Sequence, residues 1–251
     1  MVFQIAYIFF VCLAGGFITG VTGFGYAMVC MGLLTMILDV KTSTLIVLLS
    51  AIVQFIQLLY KLIIKTKVKV HYKMLLYPVI STIAGSTIGV WLLMSLPEIL
   101  LVVLLSATLI LISIYFAFFS GKLKIKANAK NGIIAGGISG ILTGLYNMGG
   151  PPLVTYFFAS TDDKNEYNAC LQLTLLAGAV FSLAMHLAAA DINLSILGLS
   201  VSAIFGVLIG IHLGYKFFEK FSKERLGKII SVVIAVLGVL LIAKNLLLNI
   251  K

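Results

Sequence analysis

The chain has 251 residues, 61% of them hydrophobic and only 10% charged, with a formal net charge of +10. That much apolar surface exceeds what a soluble core of this size can hide, which excludes a soluble globular domain. The charges gather between apolar runs of about 20 residues, the pattern of a polytopic helical membrane protein rather than a β-barrel, and lysines flanking such runs orient a chain against a lipid bilayer rather than binding nucleic acid.

In chain order, residues 2–38 are apolar but interrupted by the glycines between Gly15 and Gly25. This run lacks a basic leader and a small-residue cleavage site, so it reads as mature protein. Apolar segments follow at 42–60, 74–94 and 99–119, then a second interrupted region at 132–160, then 167–189, 196–218 and 229–248. The uninterrupted segments are each long enough for a full crossing. Cys12, Cys30 and Cys170 are scattered, without metal or redox spacing, so they read as small buried hydrophobes and no cofactor or metal is expected.

Sliding the chain against itself until Gly15 falls on Gly136 also superposes Gly16, Thr22 and Gly23 on Gly137, Thr143 and Gly144. The same register superposes Gly85 and Gly89 on Gly206 and Gly210, whose spacing suits close helix packing. We read a duplication: one integral membrane domain with copy one at 1–121, a basic linker at about 120–130 and copy two at 130–251, each copy a broken element followed by three helices.

Equivalent loops carry opposite charge bias. Lys61, Lys65, Lys67, Lys69 and Lys73 face a counterpart loop around Asp191 with no base, whereas the base-free loop at Pro97 is matched by Lys216, Lys220, Lys223, Arg225 and Lys228. The positive-inside rule makes 61–73, 120–130 and 216–228 cytoplasmic, and the copies inverted. Inversion needs an odd number of crossings per copy. The expected fold is therefore an all-α bundle with a re-entrant hairpin entering from outside over about 2–40, one from inside over about 130–160, and three crossings after each.

The interruption at Asn147-Met148-Gly149-Gly150-Pro151-Pro152 opens the backbone, because proline removes donors and glycine weakens a helix. Helix N-termini beside two such breaks are an anion-binding geometry. The expected substrate-binding set is Thr22, Gly23 and Gly25 from one tip, Thr143, Tyr146, Asn147, Gly149, Gly150 and Pro151 from the other, and Gln54 and Gln172 from neighbouring helices. The two tips are expected to meet near the bilayer midplane.

No Asp, Glu, Lys or Arg falls in the middle of a span, so there is no carboxylate relay. No HExxH motif or carboxylate pair is present at membrane depth, and Ser182 and His186 lie one turn apart with no orienting partner evident in the sequence. The chain reads as a secondary carrier of a small anion working by alternating access, with an anion channel as the alternative and an intramembrane enzyme disfavoured.

The glycine-rich first element and the segment GGISGILTGLYNMGGPPLVTYF at 136–158 resemble the sulfite exporter TauE/SafE family, also called the toluene sulfonate uptake permease family. The resemblance runs over essentially the whole chain. It implies a plasma-membrane permease for sulfur-containing anions such as sulfite or organosulfonates, and it marks Gly149, Gly150, Pro151 and Pro152 as family positions. Tyr146-Asn147-Met148 departs from the family's more usual residues before the glycine pair.

Overall fold

The computed structural model describes residues 2–70, 72–118, 126, 128–161, 163–189 and 191–216, and every regular element among them is helical. These are α1 (Val2–Thr22), α2 (Tyr26–Leu34), α3 (Val40–Leu59) continued by a π-helical turn (Tyr60–Lys65), α4 (Tyr72–Ser95), α5 (Glu98–Phe118), α6 (Ala129–Tyr146), α7 (Gly150–Ser160), α8 (Lys164–Ala188) and α9 (Leu194–Tyr215). The segments expected at 42–60, 74–94, 99–119, 167–189 and 196–218 correspond to α3, α4, α5, α8 and α9. The segment 229–248 and the bases Lys122, Lys124, Lys220, Lys223, Arg225 and Lys228 lie outside the described residues.

Among the described residues six helices, α1, α3 with its π-helical turn, α4, α5, α8 and α9, are long and apolar enough to cross a bilayer. Their outward side chains are large and apolar, among them Phe10, Trp91, Leu111 and Phe205. This is a multi-pass membrane protein.

Water-facing levels are marked by helix starts. Asp39 Oδ1 accepts from Thr42 N at 2.7 Å and Glu98 Oε1 from Val40 N at 2.6 Å, which together close the first turn of α3. Asp163 Oδ1 accepts from Asn165 N and Glu166 N, both at 2.7 Å, at the start of α8. Each carboxylate satisfies amides that have no partner within their own helix.

The first break falls within Gly15 to Gly25, as expected from the sequence, but only at the end of that run. Helix α1 continues through Gly15, Gly16 and Gly20, and α6 through Gly136, Gly140 and Gly144. The breaks are confined to residues 23–25 and 147–149. Glycines inside the helices serve packing instead.

Contacts divide the chain into two compact units. The first draws on Met1–Val47, Met94–Ser120 and Ser195–Lys251, the second on Leu48–Leu93 and Gly121–Leu194. Within the first, α1 and α2 form a hairpin, with Tyr7 Oη donating to Leu33 O at 2.9 Å, and α1 crosses α9 glycine to backbone. A methyl on Gly210 would strike Leu13 O and Phe17 N, and one on Gly214 would strike Phe17 O and Gly20 Cα. Within the second, α6 and α7 form a hairpin and α6 crosses α4. A methyl on Gly85 would strike Gly137 O and Ile141 N, and one on Gly89 would strike Ile141 O and Gly144 Cα.

The two crossings are alike in kind, glycine against backbone, and with the helix ends they match in a register other than the one the sequence comparison used. Gly85 corresponds to Gly210 and Gly89 to Gly214, and in the hairpins Leu13 corresponds to Gly137, Phe17 to Ile141 and Gly20 to Gly144. Continuing that hairpin register pairs Gly16 with Gly140, Thr19 with Thr143, Gly23 with Asn147 and Gly25 with Gly149. Backbone geometry agrees, because Gly23 (φ 87°) and Asn147 (φ 57°) are both left-handed terminators whose N–H bonds Thr19 O at 2.7 Å and Thr143 O at 2.8 Å. Glycines spaced every three or four residues match themselves at each turn, so the sequence comparison alone admits this register as well as its own.

Candidate functional site

Asn147 ends α6 in the left-handed conformation that asparagine tolerates better than most side chains, and Met148 N reaches back to Leu142 O at 3.0 Å. Gly149 then adopts ordinary right-handed angles, so φ is not what requires glycine there. Close approach is. An added Cβ would fall on Thr143 Oγ1, Ser139 O and Ser139 Oγ. Ser139 Oγ donates to Gly149 O at 2.6 Å, tying the break to α6.

Helix α7 begins at Gly150 with Pro151 and Pro152 in its first turn. Proline is preorganised for that turn, but the pair also deletes two of the amides that open the helix. The sequence reading treated this end as rich in free N–H groups. Of the four amides that open α7, those of residues 149–152, only Gly149 and Gly150 carry a hydrogen, so donors there come as much from side chains as from the backbone.

Thr143 is the side chain that matters most. It is buried, and its Oγ1 has no hydrogen-bond partner. A buried hydroxyl in that state costs free energy unless something else occupies it. Its counterpart Thr19 accepts a hydrogen bond from Tyr26 N at 2.7 Å, the first amide of α2. Thr22, expected as a substrate donor, is committed locally. Its Oγ1 lies 2.9 Å from Ile18 O and 2.6 Å from Phe24 O, and accepts from Phe24 N at 3.2 Å.

The structure thus gathers Thr143, Tyr146, Asn147, Gly149, Gly150 and Pro151 in one buried hairpin, in the same unit as Gln54 and Gln172. Thr22, Gly23 and Gly25 belong to the other unit. Gln54 is buried on α3 with Oε1 unpartnered, whereas Gln172 Nε2 donates to Asn168 Oδ1 at 2.8 Å along α8. Helix α8 packs on both limbs of the α6–α7 hairpin, and its Gly178 lies against Thr82, Ser86 and Thr143.

Sequence reasoning missed Thr19 and Ser139. The signal that finds Thr19 is its position seven residues before the first residue of α2, the same interval that separates Thr143 from Gly150. It also missed the partner of His186, whose Nδ1 lies 3.2 Å from Asp191 Oδ2. Ser182 Oγ and His186 Nε2 each lack a hydrogen-bond partner, so they are not bonded to each other.

A family model, sulfite exporter TauE/SafE, matches residues 8–241. The chain belongs to the sulfite exporter TauE/SafE family. Comparison with curated proteins and with solved structures finds no match. Membership makes this TauE/SafE protein a membrane transporter, and the family's substrate class is sulfur-containing anions. The glycine pair and double proline on which the resemblance rested are the break and first turn of the second TauE/SafE hairpin.

Proposed function

We propose that the protein is a secondary carrier of a small sulfur-containing anion, held at the break between α6 and α7. The observation that carries this reading is the buried, unpartnered Thr143 Oγ1 beside Gly149, next to the N-terminus of α7 with its favourable dipole. A weakly basic oxyanion suits such a site. It accepts hydrogen bonds from a hydroxyl and from the amides of Gly149 and Gly150, and with no buried cation to hold it, release is easy.

Depth supports a transport role. Helix α2 has 9 residues and α7 has 11, about 14 and 17 Å at the helical rise, against a hydrocarbon core of about 30 Å. Their far ends approach the charged starts of α3 and α8, so each break falls near half depth. Both elements are hairpins, α7 folding back until Tyr156 Oη lies near Gly132. In our reading they are re-entrant, one from each leaflet of the plasma membrane, and the inverted copies work by alternating access with 61–73, 120–130 and 216–228 cytoplasmic.

Two measurements test this. A thiol reagent that cannot cross the membrane should label Asn193→Cys in intact cells and leave Lys65→Cys unlabelled, whereas the reverse pattern refutes the orientation. Purified protein should melt higher in the presence of its anion. At a concentration 100 times Kd, binding adds about 2.7 kcal/mol, a rise of roughly 5–10 °C for a chain this size. A series of sulfite, thiosulfate, sulfate, organosulfonates and carboxylates should show the rise for sulfur oxyanions. Equal responses to every member, or none, would sink the assignment. Saturable flux in liposomes, rather than single-channel currents, separates the carrier from a pore.

A further inference from the structure

His186, in the last turn of α8, is 2% exposed, and its one polar side-chain partner is Asp191 on the loop that follows. A carboxylate can only accept, so Nδ1 carries the hydrogen, and Nε2 of the neutral ring is left with a lone pair. That Nε2 is buried and unpartnered. One turn earlier, Ser182 is 1% exposed and its Oγ is unpartnered too. Other buried hydroxyls in this chain, those of Ser86, Ser106, Thr174 and Ser200, donate to the carbonyl one turn back in their own helix. Ser182 does not.

A further turn back is Gly178, against the methyl of Thr143. The unpartnered Nε2 of His186 and Oγ of Ser182 therefore lie along α8 between Asp191, whose side chain is 38% exposed, and the turn that packs against α6 at Thr143. Asp191 also differs in employment from Asp39, Glu98 and Asp163, which cap helix starts. Titratable groups on the elements against α8 are Lys130 and Tyr146 of α6, Tyr156 of α7, Tyr60, Lys61 and Lys65 of the π-helical turn, and Tyr72, Lys73 and Tyr77 of α4. None is a hydrogen-bond or ion-pair partner of the ring.

Building on the carrier reading, we infer that His186 is the proton-binding residue of the transport cycle. A proton from water arrives on the Asp191 side and binds Nε2, giving an imidazolium paired with the Asp191 carboxylate. The ring holds that proton while the anion at Thr143 crosses, then gives it up to water on the far side, and Nε2 regains its lone pair. One proton travels with each anion, so a monoanion moves without net charge.

The test combines two readouts on reconstituted protein. The probe is 4-toluenesulfonate, which stays ionised and brings no proton of its own. In liposomes, wild-type protein should accumulate the sulfonate when a proton gradient is imposed, and His186→Gln should cut that accumulation at least about tenfold while exchange of labelled for unlabelled sulfonate persists. Asp191→Asn, which removes the carboxylate that pairs with the imidazolium, should impair accumulation in the same direction. Accumulation by His186→Gln at the wild-type level overturns the proposal, and so does wild-type exchange that a proton gradient does not drive. If wild-type protein exchanges no sulfonate, the carrier reading for that anion fails and the proton role falls with it.

Discussion

Gly140→Ile is expected to lower the melting temperature of the purified protein by roughly 6–12 °C, or to prevent its accumulation in the membrane. Gly140 faces α4 at the point where a Cβ would collide with Thr82 O and come within 2.8 Å of Gly85 Cα and Ser86 N. All three are backbone atoms. A side chain can rotate away from an intruder, but backbone in the middle of a helix yields only if the helices separate, and α6 would then lose its packing along Gly136, Gly140 and Gly144 together. Overpacking of this kind costs about 1–3 kcal/mol, and contact with backbone puts it at the upper end. For a chain of this length each kcal/mol is worth about 2–4 °C.

The control is three residues away. Nothing lies within 4 Å of a Cβ built on Gly137, so Gly137→Ala should leave the melting temperature unchanged or raise it, since alanine is favoured over glycine in a helix by about 1 kcal/mol. Gly16→Ile should behave like Gly140→Ile, because a Cβ there comes within 2.8 Å of Val207 O and 3.0 Å of Val207 Cα on α9. Thermal unfolding of the three variants beside wild type decides the matter. A Gly140→Ile protein that melts with wild type would refute the crossing.

That contrast also explains what the sequence could and could not reveal. The two breaks were legible, because Asn147 before a glycine pair and a double proline leaves a helix no way to continue, and Gly23-Phe24-Gly25 does the same by left-handed backbone at both glycines. The glycines upstream looked identical to those at the breaks, yet they are close-packing surfaces in unbroken helices. Composition does not distinguish the two uses, since both ask for a missing Cβ. The recurring ladder of small residues was legible, but it superposes on itself at every turn, so which glycines meet backbone was not. Contacts such as Gly85 on Gly137 O and Gly210 on Leu13 O supply that.

For the proposed anion site, the break was legible in the sequence and the state of its donors was not. A double proline was taken to leave helix amides free, when each proline deletes one. The threonine chosen in the first hairpin, Thr22, is held by its own turn, and its neighbour one turn earlier holds the structural role. Hydroxyl commitments of this kind depend on rotamer and on what the following helix presents. Spacing alone carries neither.

Thr19 and Thr143 occupy matching positions and should respond to the same substitution in opposite ways. Thr19→Val removes the acceptor of the buried Tyr26 amide, and loss of a side-chain cap at a helix N-terminus costs about 1–2 kcal/mol. The variant should melt roughly 2–8 °C below wild type and bind anion with affinity close to wild type. Thr143→Val removes a hydroxyl that satisfies nothing within the protein, so the melting temperature without anion should hold or rise. What it should lose is the ligand's hydrogen bond, worth about 1.4 kcal/mol when made to a charged oxyanion, or about a tenfold higher concentration for half-maximal thermal stabilisation. The two readouts, melting without anion and its titration with anion, separate a cap from a binding group on the same preparation. If both variants lose stability alike and neither changes the titration, Thr143 is a second cap and the anion binds elsewhere. If Thr143→Val alone shifts the titration, the difference between the hairpins is functional: one threonine closes its break, and the other keeps its break open to cargo.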